Sequence, residues 1–199
     1  VEQVPAGCNL IIDLASRSTR LARYYAIPDA LPARSIDEFA EQLSGSVRLH
    51  LRSDVPVGTC LSGGLDSSTV AALAAREHAR HGSADRFAAV TAQGEDPRID
   101  ETAYARRVVE HCGLAWSVTR PTYAEFAAGI DECLVRQGEP VGGPSVFMQF
   151  CGMRKARESG LKVMLDGQGG DETLLGYERY YIAYFLHLFR RGQLGHLAR

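Results

Sequence analysis

The residues with most capacity for chemistry are Ser62-Gly63-Gly64-Leu65-Asp66-Ser67-Ser68. They follow a short apolar run, 55–61, and open an apolar run with helical spacing, 69–80. A glycine turn between a strand and a helix is an anion-binding geometry. Two adjacent glycines let the backbone approach a phosphate without a Cβ in the way. The first N–H groups of the helix then point at the anion, and the helix dipole favours negative charge there. Ser62, Ser67 and Ser68 add hydroxyl donors. Asp66 puts a carboxylate beside the phosphate position, which is consistent only with a divalent cation between them. No Lys follows the glycines, so this is not the loop that ends in Gly-Lys-Ser/Thr. The plainer alternative is a tight turn with Asp66 or Ser67 as helix N-cap.

A second constellation is Leu165-Asp166-Gly167-Gln168-Gly169-Gly170-Asp171-Glu172. It leaves an apolar run, passes three glycines and ends in two acids. Asp166 and Asp171 could share a cation with Asp66 or bind ribose or metal-bound pyrophosphate; alone, the segment also reads as a surface turn with an Asp N-cap.

Around these motifs the pattern alternates. Strands are expected at 55–61, 87–92, 115–119 and 163–166, and helices at 67–81, 100–112, 123–136, 145–158 and 177–190. Ser35 and Glu38 form a capping box for a further helix whose apolar positions run from Ile36 to Leu51. Strand–helix alternation predicts an α/β fold, a doubly wound parallel sheet with right-handed crossovers. Ligands then gather at the carboxyl ends of the strands, where Ser62, the stretch from Thr91 to Gly94, and Asp166 fall. Before this, residues 9–14 and 21–27 read as a short β-hairpin, and 28–34 as a proline-containing linker.

Bulk composition narrows the classes. The chain has 199 residues, 45% hydrophobic and 23% charged, with a net charge of −2. That is ordinary for a globular protein and offers no basic surface for nucleic acid or an anionic membrane. No segment is long and apolar enough to span a bilayer. Cys8, Cys60, Cys112, Cys133 and Cys151 are widely spaced and odd in number, and read as reduced thiols in a cytoplasmic protein. The six histidines lack ligand spacing.

The first motif resembles the Ser-Gly-Gly-x-Asp-Ser signature of PP-loop ATP pyrophosphatases, an adenine-nucleotide alpha-hydrolase-like fold whose members split ATP between the α and β phosphates. With the second motif, the chain resembles the synthetase domain of the glutamine-hydrolysing asparagine synthetase family. The segments Glu139-Pro140-Val141-Gly142-Gly143-Pro144-Ser145 and Asp96-Pro97-Arg98-Ile99-Asp100-Glu101 also resemble family loops.

That resemblance implies site roles. Leu61 and Ala89 or Val90 would contact adenine. Ser62, Gly63, Gly64, Ser67 and Ser68 would hold pyrophosphate, and Asp66 and Asp171 Mg²⁺. Asp166 and Gly167 would line the AMP–aspartate pocket, with Glu139, Gly142 and Gly143 on the substrate side. Gln168 stands where many members have Glu, and Gln cannot act as a base. The implied reaction forms β-aspartyl-AMP from aspartate and ATP, then asparagine from ammonia supplied by a glutaminase domain outside this chain. Residues 1–30 would be the tail of that glutaminase domain with its linker, and 31–199 part of the synthetase domain. The family's N-terminal catalytic Cys and its lysine beyond the last loop have no counterpart, since Lys155 and Lys162 fall in a helix and at a strand start. The chain is therefore expected to be a fragment with little activity alone. Tyr177, Tyr180, Tyr181, Tyr184, Phe185 and Phe189 would pack against absent structure or support a homodimer. A β-lactam-forming synthetase or peptide macrolactam cyclase on the same scaffold, and a catalytically silent nucleotide-binding module, are the alternatives.

Overall fold

The computed structural model describes residues 2–28, 35–82, 85–98, 100–174 and 176–192. The linker expected at 28–34 lies outside the described residues apart from Pro28. The chain divides into two compact units, 1–40 and 41–199.

In the first unit, β1 (Cys8–Ile12) pairs antiparallel with β2 (Thr19–Arg23), in register from Cys8↔Arg23 to Ile12↔Thr19. The connecting turn is closed by Asp13, whose carboxylate accepts from the Ser16 N–H at 2.7 Å and the Ser16 hydroxyl at 2.8 Å. This closure sets Thr19 opposite Ile12, so the second strand begins before the expected residue 21. It stops at Arg23 because the Tyr24 and Tyr25 N–H groups both turn to the Gly7 carbonyl. The capping box forms as expected: Ser35 N–H donates to Glu38 at 2.8 Å, and Glu38 N–H to Ser35 Oγ at 3.1 Å, at the start of α1 (Ile36–His50).

The second unit carries the sheet. Its strands are β3 (Val57–Cys60), β4 (Ala88–Ala92), β5 (Ala115–Thr119) and β6 (Val163–Leu165), all parallel, in the spatial order β5-β4-β3-β6. Between β3 and β4 runs α2 (Leu65–Arg80), and between β4 and β5 α3 (Thr102–Cys112). The long crossover from β5 to β6 holds α4 (Tyr123–Gln137) and α5 (Pro144–Glu158). After β6 come α6 (Gly170–Leu174) and α7 (Glu178–Arg190).

Successive strand residues point to opposite faces, and β4 shows the result. Ala89 joins Leu61, Ala71, Ala74 and Ala105 in the core under α2 and α3, whereas Val90 packs with Ala156 and Leu161 of the α5 side. The sheet is thus covered on both faces, and the chain is doubly wound. A third cluster, Cys133, Phe147 and Cys151, joins α4 to α5. The chain lays down β3, β4 and β5 in one direction and then returns to place β6 on the other side of β3. That reversal is a topological switch point, where open α/β sheets leave a crevice at the carboxyl edge.

The elements depart from sequence expectation mainly at their ends. Helix α2 starts at Leu65, not residue 67, because Gly64 is its N-cap in extended conformation. Helix α3 starts at Thr102, not 100: Glu101 is its N-cap, and the Asp100 carboxylate before it accepts the Thr102 N–H at 2.9 Å and the Thr102 hydroxyl. Those bonds, with one from Gln93, hold the Asp100 carboxyl below its ordinary range.

Candidate active site

The switch crevice is a cavity of about 860 Å³ whose wall includes residues following both β3 and β6. The first loop is shaped by its glycines. Gly63 has φ +97°, and a Cβ there would lie 2.6 Å from the Ala105 nitrogen and 2.9 Å from the Glu101 carbonyl oxygen. The loop can lie against the start of α3 only without a side chain at this position. Gly64 then begins α2 with no side-chain cap, so first-turn N–H groups are left for a ligand.

The serine hydroxyls tie the loop to itself. Ser67 Oγ lies 2.9 Å from Ser62 Oγ and accepts the Ser62 N–H at 3.2 Å, while Ser62 Oγ accepts the Gly64 N–H at 3.1 Å. This explains why neither Asp66 nor Ser67 is the N-cap: Ser67 folds back into the loop, and Asp66 sits inside the first turn. The Ser68 hydroxyl is buried with no hydrogen-bond partner. The uncapped first-turn N–H groups, rather than this enclosed hydroxyl, fit an anionic oxygen.

The second loop locks onto the first. A Cβ on Gly167 would fall 2.7 Å from the Ser67 nitrogen, and one on Gly170 would reach 2.5 Å from Asp66 Oδ2. These glycines let the turn after β6 press against the first turn of α2. The stretch expected as a plain loop becomes α6 at Gly170, and the Asp171 carboxylate folds under Gly176, whose N–H donates to the Asp171 carbonyl at 3.0 Å. Tyr177 donates to Glu172 at 2.9 Å, a bond that pushes its phenol above the ordinary range.

Of the residues singled out in the sequence, Leu61, Ser62, Gly64, Asp66, Ser67, Val90, Asp166, Gly167, Gln168 and Asp171 line the cavity together. Gly63 and Ser68 belong to the first loop without lining it. Of Ala89 and Val90, Val90 lines the cavity, because strand alternation turns Ala89 into the opposite core. Glu139, Gly142 and Gly143 are not brought into the cavity: α5 begins at Pro144, and Ser145 is its first residue to line the wall. Of the stretch from Thr91 to Gly94, only Ala92 lines it.

Sequence reasoning missed the wall formed by Ser145, Met148, Gln149 and Gly152 of α5, and missed Tyr177 as a lining residue. The signal for the former was present, since positions three and four apart share one helical face.

The cavity wall holds Asp66, Asp166, Asp171 and Glu172, and among the described residues no Lys, Arg or His. A polyphosphate entering this wall needs cations to offset the carboxylates. No group of three His, Cys, Asp or Glu forms a ready metal cage among the described residues. A cation held by Asp66 and Asp171, which both line the cavity, would have to keep water and phosphate oxygens among its ligands, the habit of Mg²⁺. Cys60 also lines the cavity; burial, then the Asp166 charge and its hydrogen bond, push the thiol up to about 12. It is no nucleophile at neutral pH. Iodoacetamide at pH 8 should label Cys60 about a thousandfold more slowly than an ordinary thiol of pKa ~8.5. Peptide mapping by mass spectrometry checks this, and rapid labelling would show the thiol exposed and ionised.

A parallel α/β sheet with two glycine–acid loops at its switch point is the arrangement in which open α/β folds hold their ligands. The comparisons make the class specific. The Asparagine synthase family model matches residues 38–196, and the chain belongs to that family. It is 34% identical over 193 residues to a "Putative asparagine synthetase [glutamine-hydrolyzing] 2" of Methanocaldococcus jannaschii, covering 95% of this chain and 36% of that protein. It is 29% identical over 207 residues to "Asparagine synthetase B [glutamine-hydrolyzing]" of Escherichia coli, covering 92% and 35%. It thus spans about a third of the length of these relatives. Among solved structures, an NH3-dependent NAD synthetase from Campylobacter jejuni matches with TM-score 0.47 and 18% identity, covering 72% of this chain and 61% of that one. No helix among the described residues is long and apolar enough to cross a membrane.

Proposed function

We propose that this chain is the ATP-handling part of an amide-forming ligase that activates the β-carboxylate of aspartate as an acyl-adenylate. The observation that carries the reading is the interlock of the two loops at one cavity, with Gly170 against the Asp66 carboxylate and Gly167 against the Ser67 nitrogen. The uncapped first turn of α2 and the hydroxyls of Ser62 and Ser67 would take the β and γ phosphates of ATP, with the enclosed Ser68 hydroxyl behind them. Asp66 and Asp171 would hold Mg²⁺, which neutralises the leaving pyrophosphate. Leu61 and Val90 would form the apolar bed for adenine, and Asp166 and Gly167 the edge of the acyl-adenylate pocket. Cytoplasmic location and a homodimer belong to the same proposal.

The chemistry is a displacement followed by an acyl transfer. An aspartate oxygen bonds to the α-phosphorus as the bond to the bridging oxygen breaks, and pyrophosphate leaves. Ammonia, supplied by a glutaminase domain, then bonds to the acyl carbon and AMP leaves with the C–O electron pair; the excess proton goes to solvent. Gln168 lines the cavity and orients by hydrogen bonding only, since its amide takes no proton. The protein's contribution is alignment and charge neutralisation.

The test is product identity. With aspartate, ammonium and Mg-ATP, whatever turnover the chain supports at high protein concentration should release AMP and pyrophosphate, resolved by anion-exchange chromatography. ADP and phosphate would overturn the reading, which puts attack at the α-phosphorus.

A further inference from the structure

A buried hydrogen-bond chain runs from the only tryptophan of the protein to the phosphate loop. Trp116 on β5 donates its Nε1–H to Thr91 Oγ1 at 2.9 Å. Thr91 on β4 donates its own hydroxyl proton to the Leu61 carbonyl at 2.6 Å. The direction is fixed: an indole N–H can only donate, so the Thr91 oxygen accepts it and its single proton goes to the carbonyl. Thr91 is 4% exposed and Leu61 1%.

The position of this chain gives it meaning. Leu61 N–H donates to the Val90 carbonyl at 2.9 Å, the last ladder-type bond before β3 gives way to the loop. A continuing parallel ladder would bring a backbone N–H to the Leu61 carbonyl. The Thr91 hydroxyl takes that place instead. The Leu61 carbonyl and the Ser62 N–H belong to one planar peptide unit. That plane is gripped on its carbonyl side by Thr91 and on its N–H side by Ser67 Oγ, at 3.2 Å. Ser67 in turn meets Ser62 Oγ, which accepts the Gly64 N–H. The outer end is also fixed, since the Arg106 guanidinium lies 5.1 Å from the Trp116 ring centroid.

We infer that Thr91 is a positioning residue for the phosphate loop, setting the peptide plane between Leu61 and Ser62, and that Trp116 anchors it. The inference rests on the nucleotide reading of the cavity. Neither side chain lines that cavity. Thr91 acts only by aiming the donors at the start of the first loop, and the hydroxyl is the group that matters, not the bulk of the side chain.

The experiment is Mg-ATP titration by calorimetry of the wild type, Thr91→Val, Thr91→Ser and Trp116→Phe, with urea unfolding measured for each. Valine keeps the shape but strands the Leu61 carbonyl and the Trp116 N–H. Thr91→Val should bind Mg-ATP about tenfold or more weakly under conditions where it is folded, because a buried unpaired group lets the plane turn. Thr91→Ser, which restores the hydroxyl, should stay within about threefold of the wild type. Trp116→Phe should fall between them. Wild-type Trp116 emission should shift on titration with Mg-ATP.

A purely structural role would lower the urea midpoint of Thr91→Val without weakening Mg-ATP binding, and that result overturns the inference. Should Thr91→Val fail to fold, Thr91→Ser and the emission titration decide: a serine variant no better than Trp116→Phe, or unchanged wild-type emission at saturating nucleotide, overturns it. A wild type that binds no Mg-ATP overturns the nucleotide reading itself; a wild type that binds, with Thr91→Val equal to it, overturns only the role of Thr91.

Discussion

Asp66→Asn is expected to weaken Mg-ATP binding by about thirtyfold or more while leaving metal-free AMP nearly untouched. Asp66 lies in the first turn of α2, with its carboxylate against Gly170 and its side chain in the cavity wall. Near uncapped N–H groups, a negative charge opposes a phosphate unless a cation lies between. Asparagine keeps the size of the side chain and removes the charge, so what is lost is the bond to the metal. Asp66 is half-buried, and losing a charge-assisted contact costs about 1.5–3 kcal/mol, where about 1.4 kcal/mol is tenfold in affinity. AMP without metal has no need of this carboxylate and gains from losing its repulsion. Calorimetric titration with both ligands separates the outcomes. Equal weakening of Mg-ATP and AMP would mean that Asp66 only shapes the turn; unchanged Mg-ATP binding would remove it from the metal site.

The second large effect is on stability. Gly63→Ala should cost about 2–5 kcal/mol, combining a side chain forced into a left-handed conformation, ~1–2 kcal/mol, with overpacking, ~1–3 kcal/mol. Here φ is +97°, and the added Cβ meets backbone rather than a movable side chain: the Ala105 nitrogen at 2.6 Å and the Glu101 oxygen at 2.9 Å. Either the loop lifts off α3 or α3 shifts, and both open the site. Whole-domain stability is only about 5–15 kcal/mol, so the variant should unfold at a visibly lower urea concentration. Gly142→Ala is the companion measurement. Its Cβ meets nothing within 4 Å and its φ is not in the left-handed region, so its midpoint should stay within about 0.5 kcal/mol of the wild type. Comparable losses from both substitutions would show that the close approach of Gly63 to α3 is not what fixes the loop.

Sequence and structure agree where residue type and geometry are locked together. The strand at 115–119 is matched residue for residue by β5, a short β-rich run bounded by Gly113 and Pro121. The two glycine–acid loops were legible because each sets glycines and acids directly after an apolar strand run, at Ser62 and at Asp166. The start of α2 was not, since it depends on Ser67 turning back to Ser62 rather than capping its own helix. Nor was α6, where three glycines read as a loop until packing against Asp66 gave the turn a reason to coil. The α5 wall of the cavity carried the right spacing but the wrong prior, because Met148 and Gln149 look like any helix surface. The segment holding Glu139, Gly142 and Gly143 drew attention by its resemblance to a family loop that precedes a helix; it does lead into α5, but without lining the cavity. Thr91 and Trp116 were invisible as a pair: their bond depends on the register Thr91↔Val118 and Ala89↔Trp116, which no local pattern announces.

The pairing of β3 with β6 has a consequence for biogenesis. Val57↔Val163 and Thr59↔Leu165 join segments that leave the ribosome far apart in time. At about 5–20 residues per second, the first loop is out for several seconds before its counterpart is made. Through that interval β3 can pair with β4 only, and its other edge stands open. An open edge strand is a template for the wrong partner, including a neighbouring nascent chain. The cavity is thus complete only after β6 and α6 are made, and the stretch of synthesis between β5 and β6 is when the open edge of β3 is most exposed to mispairing.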